Sequence, residues 1–303
     1  MEPHAGLDDF ALELGAGSEI GLAIALATMM FAVALNLSIG NFQFLRNAPR
    51  PFLLGVFGQL LALPLMTLGL CVLLSPPPSV ALGMILVSCC PGGNVSNMLV
   101  LLARGNIALS VSLTATSSLL AAFITPIAVI FWTGLYSPSA NLLASIDFNV
   151  ARFLIQTAFV LALPLVIGML CNRYAPVFSA KIRTPLVVLS SLGLIIIIVA
   201  GVSKYWDAFL VTGVTVLGVV VVHNTCAFGL GNLLGRMGKL AVADRRSLTY
   251  EIGIQNSGLG LVILLTQMQG LGGAVVVTAI WGIWHIVAGL LFVGLFRGSD
   301  SRK

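Results

Sequence analysis

Charge is what this chain has least of. Asp, Glu, Lys and Arg make up 8% of its 303 residues against 58% hydrophobic, and the mean hydropathy is +1.07. A soluble fold of this length needs far more surface charge, which leaves a polytopic membrane protein rather than a soluble domain with one anchor. Aspartate occurs only at 8, 9, 147, 207, 244 and 300, all terminal or in expected loops. That removes an intramembrane protease with paired aspartates and weakens a sodium/proton antiporter, whose exchange needs buried acids in competition. His-Glu-x-x-His, Cys-x-x-Cys, a Walker-type phosphate loop and Gly-x-Ser-x-Gly are all missing, so no enzyme is expected. The five cysteines (Cys71, Cys89, Cys90, Cys171, Cys226) lie in apolar segments and read as small core residues, with no disulfide framework. Lys and Arg are absent around Glu2, Asp8, Asp9 and Glu13, which argues against a cleaved signal peptide and for a retained first span. The net charge of +5 does not indicate nucleic acid, because the basic residues sit in short loops and form no stripe.

What is present is apolar sequence in lengths of about 20 residues or more, enough to cross a bilayer. The segments fall at 18–38, 50–74, 79–104, 106–133, 150–171, 184–203, 207–235, 243–269 and 271–296, which predicts nine spans. Between them lie Arg46 to Arg50, the prolines after Ser75, Arg104-Gly105-Asn106, Ser137-Pro138, Asn172 to Thr184 and Arg236 to Arg246. With the N-terminus outside and the C-terminus inside, only Arg152 and Lys204 of the fifteen Lys and Arg fall on the outer side, so orientation follows the positive-inside rule. The tails are then an extracytoplasmic 1–17 and a cytoplasmic 297–303, around one membrane domain, 18–296.

The third and eighth segments do not read as plain helices. The third holds Cys90-Pro91-Gly92-Gly93-Asn94-Val95-Ser96-Asn97 at its midpoint, and the eighth holds Thr249-Tyr250-Glu251-Ile252-Gly253-Ile254-Gln255-Asn256-Ser257-Gly258. Each is followed by an apolar half-helix, a glycine turn and a full span. Spans 1–4 and 6–9 thus match in order with one extra span between the sets, so the second set enters from the opposite side: an inverted repeat. Interrupted segments at corresponding places in two halves point to a binding site at the midplane. The tetrad Leu-Ala-Leu-Pro also recurs, at Leu61 to Pro64 and Leu161 to Pro164, out of register with that repeat, and reads as chance.

Glu251 is the one carboxylate with a case for working inside the membrane. Beside unwound backbone it suits a cation site; the plainer alternative is a kinked helix with an interhelical polar patch. Ser96 and Asn97 come from the first break, and Ser110 and Thr114, four apart, share a helix face, although such hydroxyls often bond back to their own backbone. Gln59 is either a ligand or helix-to-helix glue. His223-Asn224 and Trp284-His285 lie within spans seven and nine, where a single histidine is more often packed and hydrogen-bonded than a ligand.

Pro91 to Asn97, Ala103-Arg104-Gly105-Asn106-Ile107-Ala108-Leu109-Ser110 and Glu251 to Gly258, with Gly58-Gln59, Val222-His223-Asn224 and Trp284-His285, resemble the bile acid:sodium symporter family. The resemblance covers nearly the whole membrane region. It implies an all-α integral membrane protein with a sodium/proton-antiporter-like core (50–133, 207–296), two crossed discontinuous helices, and a panel (18–38, 150–203) that moves against the core. By the same resemblance one sodium site takes Ser96, Asn97, Ser110, Thr114 and Glu251, and a second takes Gln59, Glu251 and Gln255 with backbone oxygens at Ile252 and Ile254. Substrate contacts fall at Asn94, Asn256 and His285. Many bacterial relatives have ten spans; this chain resembles the nine-span branch, and its Asn94 stands where some bacterial members carry threonine.

The expected function is sodium-coupled symport of an organic anion, bile-acid-like or another amphipathic carboxylate, with two Na+ ions per cycle, in the inner or plasma membrane. Neither cargo nor oligomeric state follows from the sequence. Two alternatives stand: a proton-coupled or exchange carrier on the same fold, and a membrane receptor with a remnant sodium site.

Overall fold

The computed structural model describes residues 8, 16–35, 37, 48–146, 148–204 and 206–300, all helices, turns and short connections apart from one isolated β-bridge. Most of the N-terminal tail, Arg46, and Arg302 and Lys303 lie outside the described residues.

In chain order the helices are α1, Ala16–Ala34, and α2, Pro49–Leu74, which contains a π turn at Gly58–Ala62. There follow α3, Pro78–Cys89; α4, Asn94–Leu102; α5, Ile107–Gly134; and α6, Ser137–Ser145. Then come α7, Val150–Tyr174; α8, Pro176–Lys204; and α9, Trp206–Met237. The last three are α10, Val242–Gly253; α11, Ser257–Gln267; and α12, Gly272–Asp300. Among the described residues, five stretches are long and apolar enough to cross a membrane: Pro49–Leu74, Ile107–Gly134, Val150–Tyr174, Val216–Met237 and Gly272–Gly298. The protein is a multi-pass, all-helical membrane protein.

Local chemistry sets the helix starts. Proline opens α2, α3 and α8, where its missing N–H costs nothing. Asparagine caps three others: Asn106 Oδ1 accepts from Leu109 N–H at 3.1 Å, Asn149 Oδ1 from Arg152 N–H at 2.9 Å, and Asn256 Oδ1 from Leu259 N–H at 3.0 Å. Each such cap stabilises its helix by about 1 kcal/mol.

The structure corrects three sequence boundaries. The expected loop at Asn172 to Thr184 shrinks to Ala175, because Pro176 starts α8 at once, and Arg183 is helical. Arg245 and Arg246, expected in a loop, lie in the first turns of α10. The expected loop at Ser137-Pro138 contains α6, started by proline and held down by the buried Ser139, whose hydroxyl donates to Pro78 O at 2.9 Å.

Packing groups the helices. α1 runs against α7 and α8; α3 lies against α12 with nearly every residue buried; α9 packs on α10 and α12, and α11 on α12. Outward faces are apolar: on α12, Ile283 and Leu295 are more than two-thirds exposed while Trp281 is fully buried. That inverts the pattern of a soluble helix and suits hydrocarbon around the bundle.

Polar contacts gather at the two ends. At one, Arg246 is 8% exposed and binds Asp300 through both guanidinium nitrogens, at 2.5 and 3.0 Å, while also donating to Ala103 O at 3.0 Å. Arg297 Nε donates to Leu102 O at 2.9 Å, so two arginines meet the carbonyl end of α4. At the opposite end, Thr157 of α7 donates to Gln267 Oε1 of α11 at 2.6 Å, and Gln269 Nε2 donates to Ile146 O at 2.9 Å.

Candidate functional site

Two helices stop and restart in the middle of the bundle. After Cys89 the chain turns extended at Cys90 (φ −72°, ψ 154°) and stays extended at Gly93 before α4 begins; after Gly253, Ile254 is extended (φ −115°, ψ 107°) before α11. The freed backbone groups satisfy one another. Gly93 N–H donates to Ile254 O at 3.2 Å and Asn256 N–H to Pro91 O at 2.8 Å, around an antiparallel bridge between Gly92 and Gln255. In hydrocarbon each unpaired group would cost several kcal/mol, so the two interruptions stabilise each other. Gly92 is required by space, since a Cβ there would sit 2.9 Å from Gln59 Nε2 and 3.1 Å from Glu251 Oε2. Its N–H donates to Ser117 Oγ at 3.2 Å.

Glu251 stands in the last turn of α10, fully buried. Ser96 Oγ and Ser110 Oγ each lie 2.5 Å from its Oε1, and Thr114 Oγ1 lies 3.0 and 2.9 Å from its two oxygens. The same hydroxyls face further acceptors: Ser96 Oγ is 2.8 Å from Gly93 O, and Ser110 Oγ is 2.8 Å from Asn97 Oδ1. Three hydroxyl protons cannot serve this many oxygens, so the cluster carries surplus lone pairs, all hard oxygen. Neither described ion pair, Arg104–Asp300 or Arg246–Asp300, involves Glu251. A buried carboxylate without a cationic partner is costly, and this one is surrounded by the donor set that suits an alkali cation. Ser96, Asn97, Ser110, Thr114 and Glu251 therefore meet in one place.

A second group adjoins it. Gln59, on the π turn of α2, donates Nε2–H to the Glu251 backbone O at 2.8 Å and approaches its Oε2 at 3.4 Å. Gln255 Nε2 donates to Ile252 O at 3.0 Å and reaches Glu251 O at 3.4 Å, leaving Gln255 Oε1 buried without a protein partner. Ile254 O is the acceptor of Gly93 N–H and keeps one lone pair. An orphaned, buried amide oxygen beside backbone carbonyls and Glu251 fits a second cation.

The three expected substrate residues are placed differently. The Asn94 side chain lies outside the described residues, though its backbone starts α4. Asn256 is half-buried and uses one lone pair of its Oδ1 to cap α11, which leaves its amide nitrogen and the other lone pair to face a ligand. His285 is buried on α12, between Gly282, where a Cβ would meet Ser257 of α11, and Gly289, where a Cβ would meet Leu99 of α4. Beside the oxygen cluster a cavity of about 90 Å³ opens on Asn97 and Thr114, faced across by Val33 of α1 and by Arg183 and Val187 of α8.

Two residues escaped the sequence reading. Ser117 continues the stripe of Ser110 and Thr114 one turn on, and that spacing was the available signal. Arg183 had none, because its segment read as a loop.

Comparison with known proteins places the chain among transporters. The model of the Sodium Bile acid symporter family matches residues 23–210. The sodium-dependent transporter YocS of Bacillus subtilis is 31% identical over 282 residues, covering 93% of this chain and 84% of that protein. A probable chloroplastic sodium/metabolite cotransporter of Arabidopsis thaliana is 30% identical, over 92% of this chain and 67% of its own. The human ileal sodium/bile acid cotransporter is 27% identical, over 91% and 78%.

Proposed function

We propose, from the premise that this chain belongs to the sodium bile acid symporter family, that it couples inward movement of sodium to uptake of an organic anion by alternating access. The observation that carries this reading is Glu251, a fully buried carboxylate without a cationic partner among the described ion pairs, standing on one broken helix and ringed by hydroxyls of α4, which follows the other break, and of α5.

In this reading Ser96, Asn97, Ser110, Thr114 and Glu251 hold one sodium ion. Gln59, Glu251 and Gln255, with the carbonyls of Ile252 and Ile254, hold a second. Glu251 belongs to both, so filling one site prepares the other. The junction sorts charge by helix polarity: α3 and α10 end there and offer carbonyls to cations, while α4 and α11 begin there and turn partly positive N-termini toward an anion. The anion leaves toward the cytoplasm through the cavity beside Asn97, with Arg183 of α8 as its opposite charge, after contacts at Asn256 and His285 nearer the junction.

The same reading takes nine spans from α1 to α12, with α3–α4 and α10–α11 each making one broken span, the two crossing, and the N-terminus outside. The arginine-rich end at Arg246 and Arg297 then faces the cytoplasm of a cell whose plasma or inner membrane holds the protein. Helices α1, α7 and α8 form the panel, which packs together and moves against the rest.

The test is thermal stability of the purified protein in sodium against choline at several pH values, with a panel of organic anions added in each salt. A sodium-specific rise is expected, because an ion bound only by the folded state stabilises it. An anion that adds to that rise only with sodium present identifies the cargo. Equal stability in both salts with a strong pH dependence would move the coupling to protons. In liposomes, binding of such an anion without sodium-driven flux would reduce the protein to a receptor.

A further inference from the structure

The His223-Asn224 dipeptide of α9 touches both walls of the second oxygen group without contributing to it. His223 Nε2 lies 2.7 Å from Thr67 Oγ1 of α2, and Asn224 Nδ2 donates to Gly253 O, the last residue of α10, at 2.8 Å. His223, Asn224 and Thr67 are all fully buried.

The first arm continues to Gln59. Thr67 Oγ1 is also 2.8 Å from Leu63 O, and its single proton goes there, which assigns the proton of the His223–Thr67 bond to the histidine Nε2. Leu63 N–H in turn closes the π turn on Gly58 O, five residues back and adjacent to Gln59. Pro64 follows at once and has no N–H for Leu60 O, which is why the helix widens here. Trp281 of α12 holds the imidazole from the side, ring centroids 4.6 Å apart. The second arm fixes the carbonyl at which α10 gives way to Ile254 and Gln255.

Holding these arms leaves His223 Nδ1 and Asn224 Oδ1 buried without protein partners. Two leucines would remove both orphans but would strip Gly253 O of its donor, a penalty of about 1–3 kcal/mol per unpaired group either way, so the pair is kept for what its two arms hold.

We propose that His223 and Asn224 are positioning residues for the second sodium site: one sets the π turn that presents Gln59, the other sets the start of the break that presents Gln255. This rests on the sodium reading of the site, and each can fail separately. Sodium titrations of thermal stability and of uptake are compared for wild type, His223→Leu, Asn224→Leu and Thr67→Val, with His223→Gln and Thr67→Ser as variants that keep a donor and a hydroxyl. The three disrupting variants raise the half-saturating sodium concentration roughly three- to tenfold, the size of one lost hydrogen bond. They also lower the Hill coefficient toward one, while saturating sodium still stabilises them through Ser96 and Thr114. The glutamine and serine variants recover most of both properties, which also covers a disrupting variant that does not fold. Variants that lose stability equally in sodium and choline, with unchanged half-saturation and Hill coefficient, overturn the proposal. A wild type indifferent to sodium overturns the reading beneath it.

Discussion

Glu251 is held by hydroxyl groups that have fewer protons than neighbours, and in the proposed function a sodium ion supplies the missing positive charge. Glu251→Gln keeps the shape and removes the charge. It should abolish sodium-dependent stabilisation and uptake, yet raise the melting temperature in choline, since a buried uncompensated carboxylate has gone. Circular dichroism melts in the two salts measure both effects; a lower melting temperature in choline would mean that the carboxylate is already compensated within the protein. At this scale the sequence was informative where polarity is local. Ser96 and Asn97 announced themselves beside Pro91 and two glycines, and Ser110 and Thr114 by sharing a helix face. The Thr67–His223 pair was not legible, because its members are 156 residues apart and neither has an unusual neighbour.

The interrupted helices were the most legible elements, because glycine together with a run of polar residues is costly in a helix in lipid, whereas Pro126 and Pro164 alone do not stop α5 and α7. The π turn was hidden, since Gly58 to Ala62 keeps the hydropathy of an ordinary span, and the tetrad ending at Pro64 looked like chance until the structure set it against that turn. Its twin at Leu161 to Pro164 lies within α7 with no π turn, so the motif alone does not decide. Close approach of elements gives a sharp test. Gly92→Ala should cost about 1–3 kcal/mol and raise the half-saturating sodium concentration, because the new methyl pushes on Gln59 and Glu251 together; unchanged sodium affinity would show that the junction relaxes freely. The clasp at Arg246 predicts the opposite pattern. Arg246→Met should lower stability by about 2 kcal/mol, discounted because Asp300 is 29% exposed, and leave sodium half-saturation as it was.

Across the whole molecule the ends are fastened unequally. The arginine clasp ties α4, α10 and α12 to one another, whereas Thr157 to Gln267 is a bond between α7 and α11, which belong to the two groups that separate in the alternating access proposed above. Thr157→Val should shift the two-state balance about fivefold toward the form open at that end, the effect of losing roughly 1 kcal/mol. Uptake assays should show a lower KM for cargo at the outer face, and an unchanged KM would remove Thr157 from the gate. The multi-pass character, with five stretches long and apolar enough to cross a membrane among the described residues, could be read from hydropathy along the chain, but which ends are fastened, and to what, depends on contacts between residues far apart in it.

The junction between the two breaks is made from main chain: Gly93 to Ile254 and Pro91 to Asn256. Apart from Gly92, where a side chain would collide, a rivet of peptide groups makes no demand on the side chains that line the cavity. The residues lining the cavity can therefore drift, and with them the kind of solute admitted, while the junction and the oxygen cluster beside it stay assembled. Such a scaffold can change its diet without being rebuilt.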